Sequence, residues 1–205
     1  MRLRNVKNKD IIMNSSNYLI SDYKKYKYPF NNSNPLCIEI GMGKGQFIIG
    51  MAKRYPNINF VGIEKYDSVL VRALQKLENE SMNNLMVLRM DAQYIDEVFD
   101  KDIDTIYLNF SDPWPKDRHQ KRRLSHEVFL KKYDKLFKNG CHIIMKTDNR
   151  KFFEFSLKSF TDYGYKIRDI SLNLYNDDIK DNVPTEYEEK FHNLGYPIYM
   201  VDIYK

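Results

Sequence analysis

From Leu36 onward, short apolar runs alternate with segments whose apolar residues recur at helical spacing. Residues 36–40, 60–63, 85–88, 103–108 and 141–145 read as strands. Between them, 45–54, 67–80, 126–137 and 149–161 read as helices, with Val69, Leu70, Ala73, Leu74 and Leu77 marking the apolar face of the second. Strand and helix in alternation predict an α/β fold, a mostly parallel sheet with helices on both faces. The rhythm breaks after residue 162. There, 163–170 and 198–204 read as two more strands joined by a long polar connection, 171–196, of the kind that is functional or disordered in a compact domain. Residues 1–34 lack sustained periodicity and end in Asn31-Asn32-Ser33-Asn34-Pro35. They read as a basic N-terminal arm, with a short helix near 15–22, on one domain spanning 1–205.

Charge and cysteine content narrow the class. The formal net charge is +5, a weak hint of a polyanionic partner unless it is concentrated. Cys37 and Cys141 each lie inside an apolar run, as core thiols in a reducing compartment do. The longest apolar stretch near the start, Ile11-Ile12-Met13, is too short for a signal core or a membrane span, so the expectation is a cytoplasmic protein without a membrane partner. His119, His126, His142 and His192 show no metal-ligand spacing, so no metal is expected.

The first strand runs into Glu39-Ile40-Gly41-Met42-Gly43-Lys44-Gly45 and then a helix. Glycines let the chain turn sharply and approach a ligand closely at the carboxyl edge of a parallel sheet. Gly41, Gly43 and Gly45 miss the dinucleotide spacing because position 46 is Gln, and no Gly-Lys-Ser/Thr completes a phosphate loop. The second strand ends at Glu64, where a carboxylate can accept both hydroxyls of a ribose, and the third is followed by Asp91, suited to an adenine amino group. With acidic Glu39 facing a positively charged tail, the set fits S-adenosyl-L-methionine better than a pyrophosphate nucleotide.

The fourth strand leads into Asn109-Phe110-Ser111-Asp112-Pro113-Trp114-Pro115-Lys116. Each proline fixes its own φ and pushes the preceding residue toward extended geometry, so Asp112 and Trp114 are expected in a stiff loop at the active edge. Residues 116–123 hold five basic residues, Lys116, Arg118, Lys121, Arg122 and Arg123, against Asp117, so most of the net charge is local. A cationic run beside a Trp suits phosphates and an unpaired base. The run Tyr23-Lys24-Lys25-Tyr26-Lys27-Tyr28 is a second candidate for phosphate contacts.

These motifs, with Met1-Arg2-Leu3-Arg4, Lys146-Thr147-Asp148 and Thr185-Glu186-Tyr187-Glu188, resemble bacterial tRNA (guanine-N7-)-methyltransferases of the TrmB type over nearly the whole chain. The resemblance implies a Rossmann-like class I S-adenosylmethionine-dependent methyltransferase with a seven-stranded sheet whose last strand is antiparallel. It implies that Glu39, Glu64, Asp91 and Asp112 bind the cofactor, and that Lys116, Asp148 and Thr185, Glu186, Tyr187 and Glu188 contact tRNA. Residues 118–123 would be an RNA-interacting run, Asp112 the catalytic residue, and guanine 46 of the variable loop the target. The partner is then tRNA, and the enzyme a monomer or homodimer.

Guanine N7 carries a free lone pair, so no base is needed to create the nucleophile and positioning dominates. Asp112 would stabilise the positive charge that develops on the ring. Glu186, Glu188 or Asp148 could accept from N1–H and the N2 amine of guanine, and Tyr187 could stack on the base. The rival readings are another RNA methyltransferase, a methyltransferase of proteins or small molecules, a non-enzymatic RNA-binding module, and a nicotinamide-dependent oxidoreductase. The glycine spacing and Glu39 argue against the last.

Overall fold

A computed structural model describes residues 8–177, 179 and 181–205. Its helices are α1 (Lys9–Ser15), α2 (Gln46–Arg54), α3 (Asp67–Leu77), α4 (Glu127–Tyr133), α5 (Arg150–Asp162) and α6 (Glu186–Asn193). Its strands are β1 (Leu19–Ile20), β2 (Leu36–Ile40), β3 (Asn59–Glu64), β4 (Leu85–Arg89), β5 (Thr105–Asn109), β6 (His142–Thr147), β7 (Lys166–Ser171) and β8 (Tyr199–Tyr204). The strands form one sheet in the order β1-β4-β3-β2-β5-β6-β8-β7. Pairing is parallel from β1 to β6, and β8 is antiparallel to both of its neighbours. The expected α/β sheet with an antiparallel last strand is therefore present.

Every residue of β2 and β3 is buried, because both strands lie mid-sheet under cover on each face. Ile38, Ile40, Val61 and Ile63 point into one core with Ile106, Leu108 and Phe153. Cys37 and Phe60 point into the other, with Phe47 and Ile48 of α2 and Leu70 and Leu74 of α3. A Cβ at Gly62 would run into Met42 Sδ, so the glycine in β3 lets the turn after β2 fold down onto the sheet. β2 pairs with β3 on one side and β5 on the other, so the chain reverses its direction of sheet growth beside β2. This opens a crevice at the carboxyl ends of those strands.

The sequence reading needs correction in several places. The sheet has eight strands rather than seven, because the arm contributes β1 to the open edge of β4. The helix expected near 15–22 is instead α1 at Lys9–Ser15, packed on α3, followed by that strand. Ile103 stands outside β5, making only an isolated bridge to Phe137. The long connection 171–196 contains α6. Cys37 is buried, whereas Cys141 is half-buried, and both are free thiols that burial pushes up to about 12 and about 11. No helix among the described residues is long and apolar enough to cross a membrane. No group of three or more His, Cys, Asp or Glu there could hold a metal ion.

Candidate active site

The turn after β2 adopts positive φ at Gly41 (80°), Gly43 (58°) and Gly45 (79°), a backbone that side chains rarely tolerate. The N–H groups of Gly41 and Met42 both donate to Ile63 O, at 2.9 and 3.0 Å, which bends the turn over β3. A Cβ built at Gly41 or Gly43 meets nothing within 4 Å, so this side of the turn faces open space.

Three acids stand at the carboxyl ends of adjacent strands. Glu39 in β2 is 1% exposed, and its Oε1 accepts from Asn109 Nδ2 at 2.8 Å. Its Oε2 has no partner among the described residues. Burial pushes this carboxyl up to about 8, against the Asn109 hydrogen bond and the Lys146 charge. A buried carboxylate oxygen left orphaned at a ligand edge fits a cationic group. Glu64 ends β3. Its Oε1 accepts from Lys65 N (2.8 Å) and Tyr66 N (2.9 Å), and its Oε2 from Gly43 N at 3.2 Å, tying the glycine turn to β3. Burial raises its pKa and the three backbone donors oppose the shift. Asp91 follows β4. Its Oδ1 accepts from Gln93 N at 3.0 Å, while Oδ2 lies 3.4 Å from Lys65 Nζ.

Asp112 is exposed at the tip of the loop after β5. Trp114, expected to be extended, has φ +41°, and Phe110 has φ +50°. Pro115 still excludes the right-handed helical region for Trp114, and tertiary contacts choose the left-handed alternative. Arg123 Nε donates to Pro113 O at 2.9 Å and Nη2 to Trp114 O at 3.0 Å. Arg122 lies over the indole at 5.0 Å, and the His119 ring meets it edge-on at 5.8 Å. Lys116, Arg118, Lys121 and Arg122 are exposed along the 3-10 helix Asp117–Arg122. Arg123, expected on phosphate, is instead buried over the Phe155 ring at 4.2 Å, and its guanidinium holds the loop.

The segment 185–188 divides in the same way. Thr185 caps α6 by accepting from Glu188 N at 2.9 Å, and Glu188 is fully buried. Glu188 Oε2 accepts from Lys146 Nζ at 2.6 Å, and its Oε1 accepts from Asn182 Nδ2 and Tyr175 Oη. With both oxygens so engaged, Glu188 is not free to read a base edge, and Thr185 serves the cap. The Thr-x-x-Glu spacing is a capping-box signature that could have disclosed this from sequence. Glu186 is half-buried and ion-paired with Lys76 of α3. Tyr187 is 46% exposed, with its ring 5.2 Å from Phe110 and 4.3 Å from Phe191. Burial raises the Tyr187 pKa, and the charges of Asp148 and Asp112 add to the shift. Asp148 is half-buried, with its own pKa raised by desolvation.

Sequence reasoning missed Asn109 as the partner of Glu39, Lys146 as the partner of Glu188, and the loop-holding task of Arg123. A lysine closing the apolar run of β6 was the available signal for the second.

The family described as "Putative methyltransferase" matches residues 33–201. A solved structure titled as an antibiotic-related methyltransferase shares the fold, with TM-score 0.66 at 16% identity, over 86% of this chain and 89% of that one. The tRNA (guanine-N(7)-)-methyltransferase of Bacillus velezensis is 49% identical over 199 residues, which is 95% of this chain and 92% of the relative. That of Bacillus subtilis is 50% identical over 185 residues, 89% and 87% of the two chains. At this similarity over nearly its full length, the chain belongs to the family of tRNA (guanine-N(7)-)-methyltransferases.

Proposed function

We propose that this protein transfers the methyl group of S-adenosyl-L-methionine to N7 of guanine in tRNA, at position 46 of the variable loop. The observation that carries the reading is the orphaned Glu39 oxygen two residues before the glycine turn, at the carboxyl edge of the parallel strands that Asp112 and Asp148 follow, with Tyr187 packed on Phe110 of the Asp112 loop. S-adenosyl-L-methionine, when bound, supplies an electrophilic methyl group on a sulfonium. Glu39 Oε2 suits its ammonium or sulfonium charge. Glu64 has three backbone donors on a carboxylate with about four acceptor positions. The acceptor position left over would take a ribose hydroxyl. Asp91 keeps Oδ2 for the base, shared only with Lys65 at 3.4 Å among the described residues.

On the acceptor side, Lys116, Arg118, Lys121 and Arg122 receive phosphates. Tyr187, backed by Phe110 and Phe191, offers a stacking face for the extruded guanine. Asp148, with Glu186 as the second candidate, accepts from N1–H and the N2 amine, a pair of donors that adenine lacks. Holding N7 on line with the methyl group is worth up to about 7–11 kcal/mol of barrier. The carboxylate of Asp112 then stabilises the positive charge that grows on the ring.

The test is incubation of the protein with labelled S-adenosyl-L-methionine and unmodified tRNA transcript, followed by nucleoside analysis. Label is expected in 7-methylguanosine and lost when guanine 46 is replaced by adenine. Label absent from the tRNA, or carried by another nucleoside, overturns the reading.

A further inference from the structure

We infer that the N-terminal arm, through Tyr23, forms the outer wall of the nucleoside end of the cofactor site. The inference rests on the S-adenosyl-L-methionine reading and adds a contributor that lies outside the sheet motifs. β1 has only two residues, but its register with β4 is defined, Leu19 opposite Val87 and Ile20 opposite Leu88. Val87 N donates to Tyr18 O at 2.8 Å, extending the pairing. Because the two strands are parallel, the residues after β1 emerge on the same edge as those after β4, which is the edge where open sheets hold ligands. Ser21, Asp22 and Tyr23 therefore stand beside Asp91.

There they close one side of a cavity of about 680 Å³ whose other walls include Lys65, Tyr66, Asp91 and Tyr94. That volume lies within the usual range for small-molecule sites. A larger cavity of about 870 Å³, between the arm and the end of α3, contains none of the strand-end acids. The Tyr23 ring stacks on Tyr94 with centroids 5.5 Å apart and planes 9° from parallel. The short 3-10 turn Tyr23–Lys25 is capped by Asp22, whose Oδ1 accepts from Lys24 N at 3.1 Å. Its far end is fastened by Tyr26, packed on Phe99 at 5.0 Å. Tyr23 is thus held by its own turn and by a neighbouring ring. Tyr23, Tyr66 and Tyr94 share the lining of this opening with Asp91, Lys65 and Arg89. The outer faces of the stacked Tyr23 and Tyr94 pair for stacking, and the Asp91 carboxylate as acceptor for an exocyclic amine, are the chemistry of a purine site. The basic, aromatic run 23–28 accordingly works, in part, on the cofactor rather than on phosphates.

The test is calorimetric titration with S-adenosylhomocysteine of the wild-type protein and of Tyr23→Ala, Tyr23→Leu and Tyr23→Phe, with tRNA affinity measured in parallel. Tyr23→Ala and Tyr23→Leu are expected to weaken binding roughly fivefold or more, as loss of one aromatic stacking face does. Tyr23→Phe should stay within twofold of wild type, and tRNA affinity should be unchanged throughout. Restoration by Leu, which supplies bulk without a π face, or wild-type affinity in Tyr23→Ala overturns the inference while leaving the cofactor reading intact. A wild-type protein that takes up no S-adenosylhomocysteine overturns both.

Discussion

The ammonium of Lys146 lies 2.6 Å from Glu188 Oε2 with side-chain exposures of 5% and 0%, so β6 and α6 are joined by a desolvated ion pair. Lys146 also donates to Asn182 Oδ1 and Val183 O, both at 3.0 Å, which occupies its three protons. Asp148 follows Lys146 by two residues, and Tyr187 precedes Glu188. The pair therefore ties together the segments that carry Asp148 and Tyr187, the acid and the ring proposed to hold the guanine.

Removing one partner of such a pair leaves a buried charge without its counter-ion, at a cost of about 3–5 kcal/mol, whereas replacing both with apolar residues is far cheaper. Lys146→Met is expected to lower the urea unfolding free energy by that amount, and the Lys146→Met/Glu188→Met double variant to recover most of it. Equal stability of the single and double variants would show that the pair does not govern the docking of α6.

Arg123 reaches back along the chain to hold two successive carbonyls of the Asp112 loop. Arg123→Lys keeps the charge but cannot span both carbonyls with a planar fork. Single-turnover methylation should slow roughly tenfold, about 1.4 kcal/mol of barrier, with tRNA affinity nearly unchanged. Lys121→Gln should do the reverse, weakening tRNA binding without slowing the bound reaction. If Arg123→Lys lost affinity and kept its rate, the arginine would be an RNA contact after all.

The central strands were legible because β2 and β3 are buried on both faces and read as unbroken apolar runs, in which Glu39 stands out as a charge needing a reason. β1 was illegible because two residues carry no period, and its existence depends on the open edge of β4. Of the two glutamates in 185–188, only Glu188 stands at the capping-box spacing from Thr185; its burial also depends on a lysine 42 residues earlier, which local pattern does not reveal, while Glu186 stays half-buried. Arg122 and Arg123 are likewise neighbours in one basic run, distinguished only by Phe155 lying beneath the second. Local pattern picked out the motifs, and long-range packing decides which members of each are buried and which are exposed.

The proposed pairing of Glu39 with a cationic group of the cofactor makes binding depend on pH. Its carboxyl titrates near 4.5 in the unfolded chain and is pushed up to about 8 by burial in the folded one. The free protein thus has the full benefit of a protonated Glu39 below about pH 4.5 and loses it progressively as pH rises toward 8. A cation at Oε2 favours the ionised form, so binding between those values must expel a proton. S-adenosylhomocysteine titrated at pH 6.5 in buffers of different ionisation enthalpy should show proton release that fades by about pH 8.5 and is absent in Glu39→Gln. A binding enthalpy independent of buffer at pH 6.5 would place the ligand's positive charge away from Glu39.

If the exposed cations receive the tRNA phosphates as proposed, they set the salt dependence of binding. Lys116, Arg118, Lys121 and Arg122 face solvent, whereas Arg123 does not. Four phosphate contacts on duplex RNA give a log–log slope of about −3.6, rather than the steeper slope of a five-cation patch. Filter binding between roughly 50 and 200 mM salt should return that value. Neutralising Arg118 or Lys121 should flatten the slope by about 0.9 each, while Arg123→Gln leaves it unchanged. A slope near zero for the wild-type protein would remove the phosphate-binding role from residues 116–122. An Arg123→Gln slope shifted like the others would mean that its guanidinium leaves the loop carbonyls for the RNA.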